Sequence, residues 1–179
     1  EKCSQISVSL GYKNMRFMAG RIIDVQPERP VDIVVALHAC GIATDETIAK
    51  GIKLCAKYIL AVPCCENQVR GRLKRGHPLV ALTDFGLLRY RFADILTEAL
   101  RSQFLTGAGY FVKLIEIVTL KVTPKNLMII ARRKKGNKKY NLERYNKLDG
   151  MFNTEFVLKG YFSEREIGSE VGDYSVNCL

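Results

Sequence analysis

His38, Cys40, Cys64 and Cys65 are the residues of this chain best suited to bind a metal, attack an electrophile or accept a proton. They fall in two groups. The stretch VDIVVALHACGIATDE, Val31 to Glu46, runs an apolar segment straight into His38 and Cys40. A second apolar segment, in YILAVPCCENQ, empties into Pro63, Cys64, Cys65 and Glu66. Three chemistries compete for such an arrangement: a metal centre, a redox or nucleophilic thiol, and the rim of a cofactor crevice.

Zinc sites take three or four ligands at paired spacings such as C-x-x-C or H-x-x-x-H. Here His38 and Cys40 are two apart and Cys64 and Cys65 are adjacent. Adjacent side chains at a strand end point to opposite faces, so both thiolates would not reach one ion. The other histidine, His77, is expected in a flexible basic loop. These spacings predict no metal. Cys40 lies just before a helix start, which favours thiolate, but C-x-x-C is absent and a small buried hydrophobe is the commoner use of cysteine. His38 could serve as a base or only bond a nearby carbonyl, and the residues alone leave both open.

Such side chains need elements to deliver them. Cys3, Ile6 and Leu10 share one helical face and Gly11 is a natural stop, so the chain is expected to open in a helix. MRFMA reads as a short strand ending at Gly20. DIVVAL is a continuous β-branched run, the pattern of a strand covered on both faces. Thr44 and Asp45 supply an N-cap, Asp45 and Glu46 suit the positive helix end, and Ile48, Ile52 and Cys55 recur at helical spacing. YILAV is the next buried strand. After a basic loop, RFADILTEALRSQF carries Phe92, Ile95, Leu96, Ala99 and Leu100 as a broad apolar stripe, closed by Gly107 and Gly109. GYFVKLIEIV and NLMIIARR follow as strands. TLKVTPK between them is too short for a parallel crossover, so they should pair antiparallel. A weak helix is expected over 141–149, and the tail from Gly160 carries no clear signal. The result is an open α/β sheet. Ligands of such sheets bind beyond the carboxyl ends of the strands. Gly20 with Arg21, His38 with Cys40, and Cys64 with Cys65 should therefore line one edge.

The 179 residues are one domain's worth, with a mean hydropathy near zero and no apolar run long enough for a membrane span. The six cysteines lack the spacing of a disulfide framework, which predicts a reducing, cytoplasmic setting. A net charge of +10 favours a polyanionic partner and no membrane is expected. Arg70, Arg72, Lys74 and Arg75 crowd one loop. A longer block includes Lys121, Lys125, Arg132, Arg133, Lys134, Lys135, Lys138 and Lys139. Interleaved with Tyr140 and Tyr145, it could track RNA phosphates or simply be a solvated face.

The segments LHACGIATD and VPCC resemble a branch of the class I S-adenosylmethionine-dependent methyltransferases. Members carry L-H-x-C-G-x-x-[ST]-D after the fourth strand and P-C-C after the fifth. The branch includes bacterial proteins of unassigned substrate and the eukaryotic tRNA 2′-O-methyltransferases that modify the acceptor stem. TPKNLMIIARR, Thr123 to Arg133, is similar to the closing hairpin of the bacterial members. The resemblance covers roughly residues 1–133. It implies an α/β, Rossmann-like methyltransferase sheet with a closing antiparallel hairpin. The glycine-rich first turn of that fold and the acidic residue after its second strand have no counterpart here, since no G-x-G-x-G occurs. Residues 1–135 are therefore expected to be the C-terminal part of a methyltransferase domain, with the first strands absent from this chain. Residues 136–179 would be a basic extension with a weak helix and an unassigned tail. A sheet without its central strands leaves an unpaired edge, which favours the C-terminal portion of a longer chain over a protein that lost its cofactor half.

By this resemblance S-adenosylmethionine is the cofactor. Ala19, Gly20, Arg21 and Ile22 would flank the adenine, and Leu37, His38 and Ala39 would pass beneath the reacting methyl group. His38 is the nearby side chain suited to take a proton near neutral pH. Cys64 and Cys65, with Arg70, Arg72, Lys74 and Arg75, would shape the substrate mouth. The enzyme would act on RNA. The alternative is a degenerate fold that holds nucleic acid through its basic face without catalysis.

Overall fold

The computed structural model describes residues 2–37, 39, 41–63, 67–73, 76–123, 125–135 and 140–167. Helix α1 (Lys2–Ser9) opens the chain and ends before Gly11, which takes φ 79°. A 3-10 turn (Ile22–Asp24) precedes strand β1 (Ile33–Leu37), helix α2 (Ile42–Lys53) and strand β2 (Tyr58–Val62). Short helices α3 (Asn67–Arg72) and α4 (Val80–Thr83) lead to the long helix α5 (Gly86–Gly107). Strands β3 (Tyr110–Glu116) and β4 (Leu127–Arg133) follow. Helix α6 (Glu143–Phe152), a second 3-10 turn (Val157–Tyr161) and helix α7 (Glu164–Ile167) complete the described chain.

The four strands form one sheet in the order β1-β2-β4-β3. β1 and β2 are parallel, and β4 runs antiparallel to both β2 and β3. The short connection between β3 and β4 thus makes the antiparallel pair that its length requires. In β1, β2 and β3 the carboxyl ends point the same way, and β4 begins at that same edge, where Leu127 pairs with Glu116.

Alternation along the strands puts Val34, Ala36, Ile59, Ala61, Ile129 and Ala131 on one face. Helix α2 packs there on β1 and β2, and α5 packs on β3 and β4. Gly51 allows this approach: a Cβ on it would stand 2.8 Å from the Ile59 side chain. The stripe on α5 is real but turned from its expected centre. Leu96, Leu100, Phe104 and Ala93 are buried, whereas Ile95 is exposed. Tyr145, Phe152, Phe156, Leu158 and Phe162, from beyond the hairpin, join the same core. Tyr145, expected on an RNA-tracking surface, is instead fully buried, and its hydroxyl donates to the Phe156 carbonyl at 3.4 Å.

Several expectations need correction. MRFMA forms no strand: residues 15–19 pair with no neighbour, and Met15, Phe17 and Met18 are exposed. A strand exists only by its ladder, and hydrophobicity alone does not supply one. β1 is not covered on both faces either, since Ile33, Val35 and Leu37 are exposed along its second side, and among the described residues its outer edge has no partner strand. Helix α2 begins at Ile42, after Gly41 at φ 57°, rather than at a Thr44 or Asp45 cap. Thr44 lies inside its first turn and donates to the Ala39 carbonyl. Cys55 falls past the helix end at φ 53° and is disulfide-bonded, where the cysteine spacing had suggested thiols. His77 is buried, not in a flexible loop: Nδ1 accepts from the Leu79 amide at 3.2 Å and Nε2 meets the Thr83 hydroxyl at 3.0 Å.

Burial also sets the alkaline limit of the fold. The Tyr110 hydroxyl donates to the Ala56 carbonyl at 2.9 Å, and burial pushes its pKa up to about 12. Tyr140 and Tyr145 are raised for the same reason. A folded pKa above the unfolded value of 10.0 means the neutral phenol's contribution is complete below pH 10. It is lost as pH rises through about 12, because the unfolded chain releases the proton first. Thermal melts should therefore fall steadily between these values. Tyr110→Phe should cost about 1 kcal/mol at neutral pH and make the alkaline decline shallower. A decline of unchanged steepness would place the titration in other groups.

Candidate active site at the carboxyl edge of the sheet

Three connections leave the carboxyl edge, after Leu37 of β1, Val62 of β2 and Glu116 of β3. The turn around Gly20 is held beside the first of these by α2. Arg21 Nε donates to Glu46 Oε1 at 3.0 Å, and its terminal nitrogen meets the same oxygen. Glu46 lies about one turn into α2, so the pair fixes Arg21 close to where β1 ends. One turn further, Lys50 Nζ donates to the Ile23 carbonyl at 3.1 Å. The Tyr161 phenol adjoins the pair, and burial, with Glu46 and Asp45 nearby, raises its pKa. The Glu46 carboxylate in turn holds the Arg21 guanidinium more firmly charged.

The turn leaves apolar and backbone surface open. Ile22 is half-buried and Leu37 exposed, so two apolar side chains remain available at the edge. At Gly20 a Cβ would meet nothing within 4 Å, which leaves open space over the backbone. Ala19 is exposed and Ala39 half-buried. Of these residues, Arg21 is tied to α2 through Glu46, while Leu37 and Ala39 lie at the end of β1. His38, Cys64, Cys65, Lys74 and Arg75 lie outside the described residues, as do Cys40, Lys138 and Lys139.

Arg70 and Arg72 are exposed on α3, a helix where a loop was expected, because Asn67 to Arg72 closes a turn of backbone after Pro63. Arg72 pairs with Glu155 at 2.7 Å. Arg70 lies over the Tyr90 ring, 5.4 Å from its centroid. The longer basic block does not make one surface. Lys121 and Lys125 precede β4 at the carboxyl edge, whereas Arg132 to Lys135 come at its far end. Seven residues of strand put roughly 20 Å between them. Linear spacing concealed this division.

Residues 1–72 match a family model described as a methyltransferase domain. That supports a methyltransferase domain over this part of the chain. The match takes in the Arg21 turn, β1, α2, β2 and α3, and stops short of the 1–133 span over which resemblance was expected. The α/β architecture and mixed sheet are compatible with a Rossmann-like fold. No curated protein and no solved structure matches the chain.

Glu46 and Lys50 escaped the sequence reading, which took Glu46 for a helix-dipole residue. Their partners lie 25 and 27 positions away, beyond any local pattern. Glu46→Gln should leave the helix intact but loosen the turn. In the complete protein, affinity for S-adenosylhomocysteine should drop severalfold. A charge exchange, Arg21→Glu with Glu46→Arg, should recover part of it. Equal affinity in Glu46→Gln and the unmodified protein would show that the pair does not shape the cofactor end.

Proposed function

We propose that this chain is the C-terminal portion of an S-adenosylmethionine-dependent methyltransferase that acts on RNA. The observation that carries the reading is the Arg21–Glu46 pair, which holds the Gly20 turn against the end of β1, within the residues that match a methyltransferase domain. Ala19 to Ile22 would pack on the adenine, and Leu37 and Ala39 would underlie the sulfonium end. Bound there, the cofactor supplies an electrophilic methyl group. The residues of this chain contribute alignment, which is most of what a displacement of this kind demands. His38 follows Leu37 directly in the sequence, and as a neutral imidazole it would accept the proton that a hydroxyl acceptor must lose. Cys64 and Cys65 follow Pro63 and would form part of the substrate mouth, with the cations of α3 and of Lys74 and Arg75 taking phosphates. The segment beyond residue 135, whose aromatic residues pack into the same core, and a setting without metal or membrane belong to the same proposal.

The deciding test is calorimetric titration of the full-length protein with S-adenosylhomocysteine, paired with RNA binding at several salt concentrations. Saturable binding of the nucleoside supports the enzyme. RNA binding without it would favour the non-catalytic module. For RNA, the logarithm of affinity should fall linearly with the logarithm of salt, by roughly 0.7 per phosphate contact on a single strand. Replacing Lys134, Lys135, Lys138 and Lys139 by Ala should flatten that slope if the far-edge cluster makes the contact. An unchanged slope would assign it to Arg70, Arg72, Lys74 and Arg75.

A further inference from the structure

Two basic segments that are far apart in sequence meet at the carboxyl edge around one aromatic ring. Arg70 from α3 lies 5.4 Å and Lys125 from the β3–β4 loop 5.3 Å from the Tyr90 ring centroid on α5. Asp94, one turn along the same stripe as Tyr90, holds Lys125 by an ion pair of 2.6 Å. Lys125 is therefore fixed over the ring, while Arg70 forms no ion pair among the described residues. One turn in the other direction, Leu87 is 66% exposed. Leu120 and Val122 stand exposed on the loop that carries Lys125.

We infer that Leu87, Tyr90 and the Arg70 guanidinium form a stacking platform for unpaired bases, so that the edge takes a single-stranded segment of RNA rather than a duplex. This rests on the reading of RNA as the substrate. Charge complementarity selects a polyanion: Arg70 and Lys125 lie over the ring, Arg70 has no ion pair among the described residues, and Asp94 is already committed to Lys125. The exposed apolar and aromatic surface then selects among polyanions. A duplex presents phosphates and sugar hydroxyls to a protein and keeps its base faces stacked, so it makes no use of Leu87 or of the Tyr90 ring. An unpaired strand offers both a phosphate track and free π-faces, which stack on aromatic rings and on guanidinium planes. Arg70 serves twice, as a stacked plane and as a phosphate partner. The platform lies on the edge to which the Arg21 turn and the end of β1 also belong, so a strand running across it would present a nucleotide to that site.

Fluorescence anisotropy of the full-length protein with one labelled RNA, single-stranded and annealed to its complement, tests this. The single strand should bind more tightly. Tyr90→Leu should weaken single-strand binding about tenfold and leave duplex binding and the salt slope unchanged, because stacking releases no counterions. Tyr90→Phe, which keeps the ring, should bind as the unmodified protein does. Arg70→Gln should lower both affinity and slope. Far-UV circular dichroism of each variant should match the parent, since these side chains are on the surface. Equal affinity for strand and duplex, or indifference to Tyr90→Leu, would overturn the platform and leave an RNA substrate standing. Binding of neither form would overturn the RNA reading and the platform together, and would leave the patch to a protein partner.

Discussion

Arg101→Ala is expected to destabilise the fold by about 3–5 kcal/mol, measured as a lower urea midpoint at unchanged slope. Arg101 on α5 is 1% exposed, yet it carries a permanent charge into the core between α2 and α5. Its Nε donates to Asp45 Oδ1 at 2.8 Å and a terminal nitrogen to Oδ2 at 3.1 Å, while the other terminal nitrogen reaches Glu98 Oε1 at 2.9 Å. Removing the guanidinium takes away the hydrogen bonds it gives to two nearly buried carboxylates. Burial already pushes the Asp45 carboxyl above its ordinary value despite the attraction of Arg101, so loss of the arginine drives it further up. The sign of the pH dependence follows. With the folded pKa above the unfolded one, the variant is least handicapped in acid and loses stability as pH rises from about 4 through the folded value. Replacing the whole triad, Arg101→Met with Asp45→Leu and Glu98→Leu, should recover much of the loss, since apolar residues of similar volume often replace a buried ionic cluster at little cost. A single Arg101→Ala effect under about 1 kcal/mol would mean that water reaches the pair after all.

His38→Ala in the complete protein is expected to reduce turnover by roughly 10² or more, with little change in affinity for S-adenosylhomocysteine. The strand Ile33–Leu37 ends immediately before this residue, and the proposed adenine contacts lie on the separate turn held by Glu46. Proton acceptance and nucleoside binding should therefore be separable. His38→Asn completes the comparison. An amide still donates a hydrogen bond to a neighbouring carbonyl but does not take a proton near neutral pH. If Asn preserves activity, the imidazole is a brace; if both variants lose turnover while binding persists, it is the base. Affinity that falls in step with turnover would make His38 part of the pocket wall.

Legibility in the sequence followed the range of the interaction. The β-branched runs at Ile33–Leu37 and Tyr58–Val62, the α5 stripe and the antiparallel hairpin were readable because each depends on local periodicity or on the length of one connection. The MRFMA segment misled for a complementary reason: its composition suits a strand, but a ladder needs a neighbour that composition does not name. At the candidate site, the shared direction of β1 and β2 followed from alternating strands and helices. The contacts that join the site did not. Glu46 to Arg21, Lys50 to the Ile23 carbonyl, Asp45 to Arg101 and Arg70 over Tyr90 join residues 20 to 56 positions apart. The basic block taught the reverse lesson, since neighbours in sequence were carried by β4 to opposite ends of the sheet.

The outer edge of β1 also governs how the molecule behaves in a crowded solution. Ile33 to Leu37 carries no lysine, proline or bulge, the devices by which an edge strand ordinarily refuses a newcomer. Where the preceding strands of a longer chain do not cover it, its amides and carbonyls are a template on which an extended apolar segment can lay down a further strand, including one from another copy of the chain. Side chains along it are all aliphatic, so a slip in alignment by two residues exchanges like for like and is scarcely penalised. Growth from such a seed is therefore loosely aligned and increases with concentration.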